Sequence, residues 1–443
     1  MRVVIVKPAK RIRGSLRMPG DKSISHRAAM IAALAQGRSR ITNYSNSEDC
    51  KATISCLEQL GVEIHCPLPE IVVNGVGLHG LTASRDFLDC RNSGTTMRLL
   101  AGILAGQSFT SRLTGDESLL RRPMQRIIEP LQMMGAEISS TNDGYAPLTI
   151  EGADSLRPIE YELLVASAQV KSAILFAGLK VKGRTRVIEA EPTRDHTERM
   201  LRAFGASLET GVDAAGENTR FAEIEGHPKL RAQNISMPGD ISSAAYFIAA
   251  ACLLPDSLLE IADVGLNPTR IEFLKQFQAA GFDVQMTVES EEHNEPRGMV
   301  RVSATRPGER ESSEFHLRID GLKIPKLIDE LPLIAIAGSQ IQGGIEIRNA
   351  AELRVKESDR IATTAGNLRA MGAHVDEFDD GLHVYGPVRL QGAPVDPAGD
   401  HRIAMSFAIA GLLADTETEI TNSECVAVSF PEFFELLDSV VER

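Results

Sequence analysis

The sequence reads as an α/β chain built from six similar units, grouped in two lobes of three. Three features lead there. An Ala/Leu/Ile-rich stretch, opened by a small or charged turn and followed by a β-branched run, recurs six times along the 443 residues. Five of these are followed by an amphipathic segment with helical apolar spacing, then Gly, then a short strand-like run. The last copy lacks its closing strand, while the chain begins with an unattached apolar run at 3–6. A solenoid of six α/β units is the competing arrangement, but the period is long for one and the units vary in length.

The apolar stretches, in order, are GDKSISHRAAMIAALAQGRSRITN (20–43), SGTTMRLLAGILAGQSFTSRLTG (93–115), SAQVKSAILFAGLKVKGRTRVIEA (167–190), GDISSAAYFIAAACLLPDSLLEIADV (239–264), IDELPLIAIAGSQIQGGIEIRNA (328–350) and GDHRIAMSFAIAGLLADTETEITN (399–422). The amphipathic segments between them end at Gly61, Gly135, Gly205, Gly281 and Gly372, spaced 74, 70, 76 and 91 residues apart. Gly stands there because a helix commonly ends on a left-handed residue, which only Gly adopts without a Cβ penalty. The sixth unit stops at FPEFFELLDSVVER, so the N-terminal strand is expected to complete it. The Gly-Asp turns at 20–21 and 239–240 are the expected crossing points. They divide the chain into one lobe of residues 21–239 and a second of residues 1–20 plus 240–443.

The starts of these helices carry the chemistry. A helix N-terminus presents unsatisfied N–H donors and partial positive charge, and an added Lys or Arg makes it a clamp for phosphate or carboxylate. The first start offers Lys22, Ser23 and Arg27. A helix capped by Ser23 with solvated cations reads the same residues equally well. The second is RNSGTTMRLL, in which Gly94 lets a ligand approach the backbone beside Asn92, Ser93, Thr95 and Thr96; a simple turn into a core helix is the other reading. In GDESLLRRPMQR, Arg121 and Arg122 precede Pro123, which suits a first helical position. Arg122 is either an anion fork or a surface charge. Ser167, Ala168 and Gln169 open the third helix, where capping alone accounts for Ser167. TRDHTER reads as a polar helix start, with Arg194 a candidate anion contact. Asp329, in IDELP, is either a helix cap or a functional carboxylate. LRVKESDR packs Arg354, Lys356, Glu357, Asp359 and Arg360 into seven residues, which local ion pairs would also explain. Arg402, beside Asp400 and His401 before a wholly apolar helix, sits at the wrong end of a helix dipole, and an anionic ligand would account for it.

Cations recurring at equivalent helix ends in a chain of net charge −13 point to a cleft for multiply anionic small molecules. The same charge, an aromatic content of 5% and the absence of Trp argue against nucleic acid. The longest apolar run, Ala244–Leu254, is 11 residues, too short to cross a bilayer. No signal-peptide core opens the chain. Six Cys with no CxxC fit reduced thiols in the cytoplasm. No HExxH, Walker A loop, Rossmann GxGxxG or GxSxG is present, so no metal or organic cofactor is expected. The His65–Cys66 pair reads as packing.

Taken together and in order, GDKSISHR, NSGTTMRLL, LTG with RRP, SAQVKSA, RDHTERM, GDISSAA, NPTR, LRVKESDR and GDHRIAM resemble the 5-enolpyruvylshikimate-3-phosphate synthase family of enolpyruvyl transferases, from about residue 10 to residue 437. The resemblance implies an inside-out α/β barrel in each lobe, made of three βαβαββ units, with the active site between lobes. It implies transfer of the enolpyruvyl group of phosphoenolpyruvate to the 5-hydroxyl of shikimate 3-phosphate with release of phosphate, on the route to chorismate and the aromatic amino acids, without a cofactor. It further implies that Lys22, Ser23, Arg27, Ser167, Ala168, Gln169, Arg194, Asp329 and Lys356 contact shikimate 3-phosphate. Lys22, Gly94, Arg122, Gln169, Arg360 and Arg402 match the phosphoenolpyruvate contacts. Asp329 and Glu357 match the proton-moving carboxylates, with Lys22 at the reacting centre. A monomer is expected, since nothing in the sequence demands an oligomer.

The sequence departs from the family pattern at Val428, where many members carry Lys two residues before the Phe-Pro pair. Leu99 and Ala168 replace a Pro and a Ser of some members and suggest a subgroup away from the enteric bacterial enzymes. Gly94 suggests room for glyphosate, the family's inhibitor, while Val428 removes an expected cation. Two rivals stand beside this reading. The enolpyruvyl transferase acting on UDP-N-acetylglucosamine usually carries a reactive Cys before the Arg-Pro pair, and GDESLLRRP has none. A non-catalytic α/β repeat scaffold would show capping repeats at both ends.

Overall fold

The six Ala/Leu/Ile-rich stretches form the helices Lys22–Leu34, Gly94–Ala105, Ala168–Gly178, Ile241–Leu253, Leu331–Gly338 and His401–Leu413. Each is apolar around most of its circumference and is buried over nearly its whole length, as a helix without a polar face must be. The computed structural model describes residues 2–153, 155–213, 219–304 and 317–443. The second helices, Glu48–Gln59, Gln125–Met133, His196–Ala203, Glu272–Ala279, Arg360–Ala370 and Phe433–Val440, bury one face only. The first five of them end two residues before Gly61, Gly135, Gly205, Gly281 and Gly372, whose φ angles lie between +83° and +104°. All five glycines therefore close their helices in the left-handed conformation read from the spacing.

The chain divides into two units. One comprises Gly20–Met237 with Glu291–Glu295. Its core runs through the helices from Ile24 to a last residue at Met237. The helix Gly94–Ala105 packs on Ala168–Gly178 and on Lys22–Leu34. The first of these contacts is close enough that a Cβ on Gly102 would stand 2.2 Å from the Ala173 carbonyl oxygen. Three four-stranded sheets share one topology: a parallel pair followed by two antiparallel neighbours. Two of the units run strand, helix, strand, helix, hairpin in chain order: Leu88–Asp89, Thr110–Thr114, Glu137–Thr141 and Tyr145–Glu151, then Glu160–Glu162, Arg184–Glu189, Leu208–Val212 and Arg220–Glu225. In the first sheet the opening strand arrives last: Asn234–Ser236 pairs in parallel with Gln36–Thr42, Asn234 opposite Arg40. Glu291–Glu295, inside the stretch assigned by sequence to the other lobe, belongs here because the Glu295 carboxylate pairs with His196 Nδ1 at 2.7 Å and the Asn294 carbonyl accepts from Arg199.

The other unit comprises Met1–Pro19, Pro238–Ser290 and Pro296–Arg443. Its three helices Ile241–Leu253, Leu331–Gly338 and His401–Leu413 touch one another, and its core extends from Val6 to Val440. Leu317–Ile319, Ile345–Ile347, Gly381–Val384 and Val375–Phe378 repeat the common topology. In the sixth sheet Val4–Val6 lies antiparallel to Thr418–Ile420, supplying the strand that the last copy lacks. Two pairings were not visible in the sequence. Arg11–Arg17 runs parallel to Leu258–Gly265 as the opening strand of the fourth sheet. Val441–Glu442 forms a short strand antiparallel to Arg11 and Ile12, so the chain does end on a strand, though in the fourth sheet. Among the described residues, no helix is long and apolar enough to cross a membrane, and all six Cys are free.

Candidate active site

In the unit built on Gly20–Met237, the helix Lys22–Leu34 begins at the Gly-Asp turn. Asp21, not Ser23, is its cap: the Asp21 carboxylate accepts from the Ile24 N–H at 2.9 Å. Asp21 is the last residue before the helical φ/ψ region, so its carboxylate is the one that meets the open N–H groups. Lys22 Nζ pairs with Asp49 Oδ2 at 2.9 Å in a largely buried bridge. Arg27 is buried. Its Nε donates to Thr197 Oγ1 at 2.7 Å, Nη1 to the Ser23 carbonyl at 2.9 Å and Nη2 to Ser172 Oγ at 3.1 Å. His26, one residue away, has its Nδ1 2.7 Å from Thr53 Oγ1, and burial first, then the charges of Lys22 and Arg27, hold its pKa well below the usual value.

Ser93 caps the helix Gly94–Ala105, accepting from the Thr96 N–H at 3.0 Å. Gly94 is the first helical residue, and a Cβ there would lie 2.7 Å from Arg98 Nη1 and 3.5 Å from Arg122 Nη1. Arg98 Nη1 donates to Gln169 Oε1 at 2.8 Å, and Gln169 Nε2 donates to Thr95 Oγ1 at 2.9 Å. Arg122 is buried rather than a surface charge. It donates to Asn92 Oδ1 at 2.7 Å, to Ser118 Oγ at 2.9 Å and to the Asn92 carbonyl at 3.1 Å. Pro123 does not open the next helix. Met124 stands at its N-cap position, with its N–H given to the Gly144 carbonyl at 2.7 Å, and the helix starts at Gln125. Ser167 does cap the helix Ala168–Gly178, accepting from the Val170 N–H at 3.4 Å, while the Ala168 carbonyl accepts from Ser172. Gly94, Arg98, Arg122 and Gln169 are thus drawn around one helix N-terminus, a geometry suited to an anion. Arg194 lies three residues before Thr197, the partner of Arg27.

In the other unit, Asp329 does not cap the helix Leu331–Gly338. Glu330 occupies the N-cap position without a side-chain cap bond. Asp329 instead lies between two guanidinium groups, Oδ1 3.6 Å from Arg360 Nη1 and Oδ2 3.3 Å from Arg402 Nη2. Arg360 also meets Glu357 at 2.6 Å and Asp400 at 2.7 Å. Burial pulls the Arg360 pKa down, but Asp400, Glu357 and Asp329 outweigh it and raise it above the ordinary value. Arg402 is likewise pulled down by burial and raised further by Asp329. Burial pushes the neighbouring Tyr246 hydroxyl up to about 12. Lys356 pairs with Glu352 at 3.1 Å. Val428 ends a short 3-10 turn, Ser423–Val428, and is half-buried. One carboxylate beside two fixed guanidinium groups, with a second carboxylate on one of them, can hold an anion and move a proton next to it.

Four residues near these groups were not singled out from the sequence: Asp49, Arg98, Glu330 and Tyr246. Asp49 and Glu330 read as ordinary acids near helix starts, and Arg98 and Tyr246 as members of apolar helices. Only the cation count at the first helix start hinted that a buried acid must balance Lys22.

The family model described as EPSP synthase (3-phosphoshikimate 1-carboxyvinyltransferase) matches residues 6–437. The chain is 48% identical over 444 residues to the 3-phosphoshikimate 1-carboxyvinyltransferase of Koribacter versatilis (strain Ellin345), covering 100% of both chains. It is 46% identical to that of Geobacter sp. (strain M21), covering 99% of each. Among solved structures, an EPSP synthase from Acinetobacter baumannii superposes with a TM-score of 0.83 at 40% identity, covering 99% of this chain and 98% of that one. The enolpyruvyl transferase NikO from Streptomyces tendae, at 18% identity, shares the fold with a TM-score of 0.76 over 99% of this chain and 97% of its own.

Proposed function

The chain belongs to the EPSP synthase family and transfers the enolpyruvyl group of phosphoenolpyruvate to the 5-hydroxyl of shikimate 3-phosphate with release of phosphate; we propose that the residues placed above divide that work as follows. Asp329 takes the proton from the 5-hydroxyl as its oxygen bonds to C2 of phosphoenolpyruvate. Glu357 and Lys22 handle the alkene side and deliver a proton to C3. The addition product then loses a C3 proton and the phosphate, which restores the double bond in the product. Arg360 and Arg402 hold phosphoenolpyruvate together with Gly94, Arg122, Gln169 and Lys22. Ser23, Arg27, Ser167, Ala168, Gln169, Arg194, Lys22, Asp329 and Lys356 hold shikimate 3-phosphate.

The observation that carries this division is the Asp329 carboxylate between Arg360 and Arg402. A base set against two fixed cations stands where an anionic donor is gripped, and the same cations stabilise charge as phosphate departs. A monomeric state and a cytoplasmic location complete the proposal; six free thiols suit a reducing compartment.

The experiment is phosphate release from phosphoenolpyruvate with shikimate 3-phosphate or UDP-N-acetylglucosamine as acceptor. Release with shikimate 3-phosphate alone is the expected result. Release only with the nucleotide sugar overturns the acceptor, and release with neither, from folded protein, overturns the activity.

A further inference from the structure

Deep in the unit built on Gly20–Met237 lies a group of charges for which the proposed reaction has no use. Lys171 Nζ stands 2.8 Å from Glu189 Oε2 and 2.6 Å from Glu198 Oε1, and the three side chains are 1%, 5% and 3% exposed. Glu189 Oε1 accepts the Thr193 N–H at 3.2 Å and the Thr193 hydroxyl. Two carboxylates share one ammonium, and burial, then the charge of Glu189, push the Glu198 carboxyl up against the pull of Lys171. A buried ion group contributes little net stability compared with well-packed apolar side chains. Stability alone therefore does not account for it.

Its connections supply a reason. Lys171 is on the helix Ala168–Gly178, two residues after Gln169. Glu189 ends the strand Arg184–Glu189, and through Thr193 it fixes the segment that leads to Arg194. Glu198 is on the helix His196–Ala203, next to Thr197. Thr197 and Ser172, the residue after Lys171, are 2.6 Å apart, and both accept from Arg27. Three separate stretches that carry the proposed shikimate-phosphate contacts, 167–169, Arg194 and Arg27, are thus tied through neighbours of one ammonium group.

We propose that Lys171, with Glu189 and Glu198, is a positioning residue that sets the shikimate 3-phosphate contacts of this unit in register; of the proposed phosphoenolpyruvate contacts only Gln169 lies on an element it anchors, and Gln169 is held separately by Arg98 and Thr95. This rests on the reading of the substrate given above. A charged group suits the task because its bonds are directional, whereas apolar packing allows the loop and the helix to slide.

The test is steady-state kinetics on the full chain. Removing Lys171 alone would strand two buried carboxylates and risk the fold. The informative variant is therefore Lys171→Met combined with Glu189→Gln and Glu198→Met, which keeps volume and an acceptor for Thr193 while leaving no charge. The expected result is a folded protein whose KM for shikimate 3-phosphate rises by about tenfold or more, as small misplacements of binding groups do, with KM for phosphoenolpyruvate within about twofold of the parent. An unchanged KM for shikimate 3-phosphate in the folded variant overturns the proposal. So does an equal rise in both KM values, or a protein that no longer folds, since each would give the triad to general stability. If the parent itself shows no turnover with shikimate 3-phosphate, the functional reading has failed instead. Amide hydrogen exchange over residues 190–195, faster in the variant if the triad orders that loop and unchanged if it does not, still decides the positioning claim.

Discussion

Arg360 and Asp400, forty residues apart, form a buried ion pair in which Nε donates to Oδ2 at 2.7 Å and Nη2 to Oδ1 at 3.3 Å. The same carboxylate caps the helix His401–Leu413 by accepting the Arg402 N–H at 2.9 Å. One aspartate thus fixes the side chain of one arginine and the backbone of the other.

Asp400→Asn separates those two duties, because Asn caps as well as Asp. The helix keeps its cap while the buried Arg360 loses a charge. Stability should fall by about 3 kcal/mol, the usual cost of stranding one member of a buried pair. The urea midpoint measures it; a change below about 1 kcal/mol would show that Glu357 and Asp329 suffice to balance Arg360.

Gly94→Ala places a methyl 2.7 Å from Arg98 Nη1, so the guanidinium must move and its bond to Gln169 is strained. The φ of Gly94 is not positive, so the effect is steric rather than backbone strain. The expected outcome is a KM for phosphoenolpyruvate raised by about tenfold, with thermal stability nearly unchanged. An unaltered KM would mean that Arg98 swings aside without cost.

Asp329→Ala should lower kcat by at least about a thousandfold while binding of shikimate 3-phosphate stays measurable by calorimetry, since a base on the reacting hydroxyl contributes on that scale. Retained turnover would sink the assignment.

The buried His26 is held neutral, its folded pKa below the ordinary 6.5. The unfolded chain binds a proton near pH 6.5 that the folded chain refuses. Stability is therefore full above that pH and is lost as pH falls below it, by up to about 1.4 kcal/mol per pH unit. Denaturation between pH 7 and 5 should show this slope, and His26→Gln should reduce it. An identical slope in the variant would assign it to other groups.

The sequence disclosed what is local. Five helix-ending glycines, six helices without a polar face and the missing strand of the last unit were legible, because each is a statement about neighbours along the chain. Arg402 was legible as a cation set against a helix dipole. What escaped depends on distance along the chain. The opening strands Arg11–Arg17 and Asn234–Ser236 pair with partners some two hundred residues away, and nothing in their own residues names the partner. Asp329 and Ser23 both looked like caps, since the rule that favours acids and serines at helix starts cannot tell which residue within a short stretch occupies the turning position. Nothing in the apolar run around Lys171 names its two glutamates, which lie 18 and 27 residues further along the chain.

The strand pairings also impose an order on synthesis. The three sheets of the Gly20–Met237 unit have all their strands once residue 236 has left the ribosome, because their last member is Asn234–Ser236. The other unit places residues 4–17 against strands at 258–265, 418–420 and 441–442. The strands Val4–Val6 and Arg11–Arg17 must wait unpaired through the translation of at least 240 further residues, so the nascent chain carries exposed strand edges after the three sheets of the Gly20–Met237 unit have all their strands.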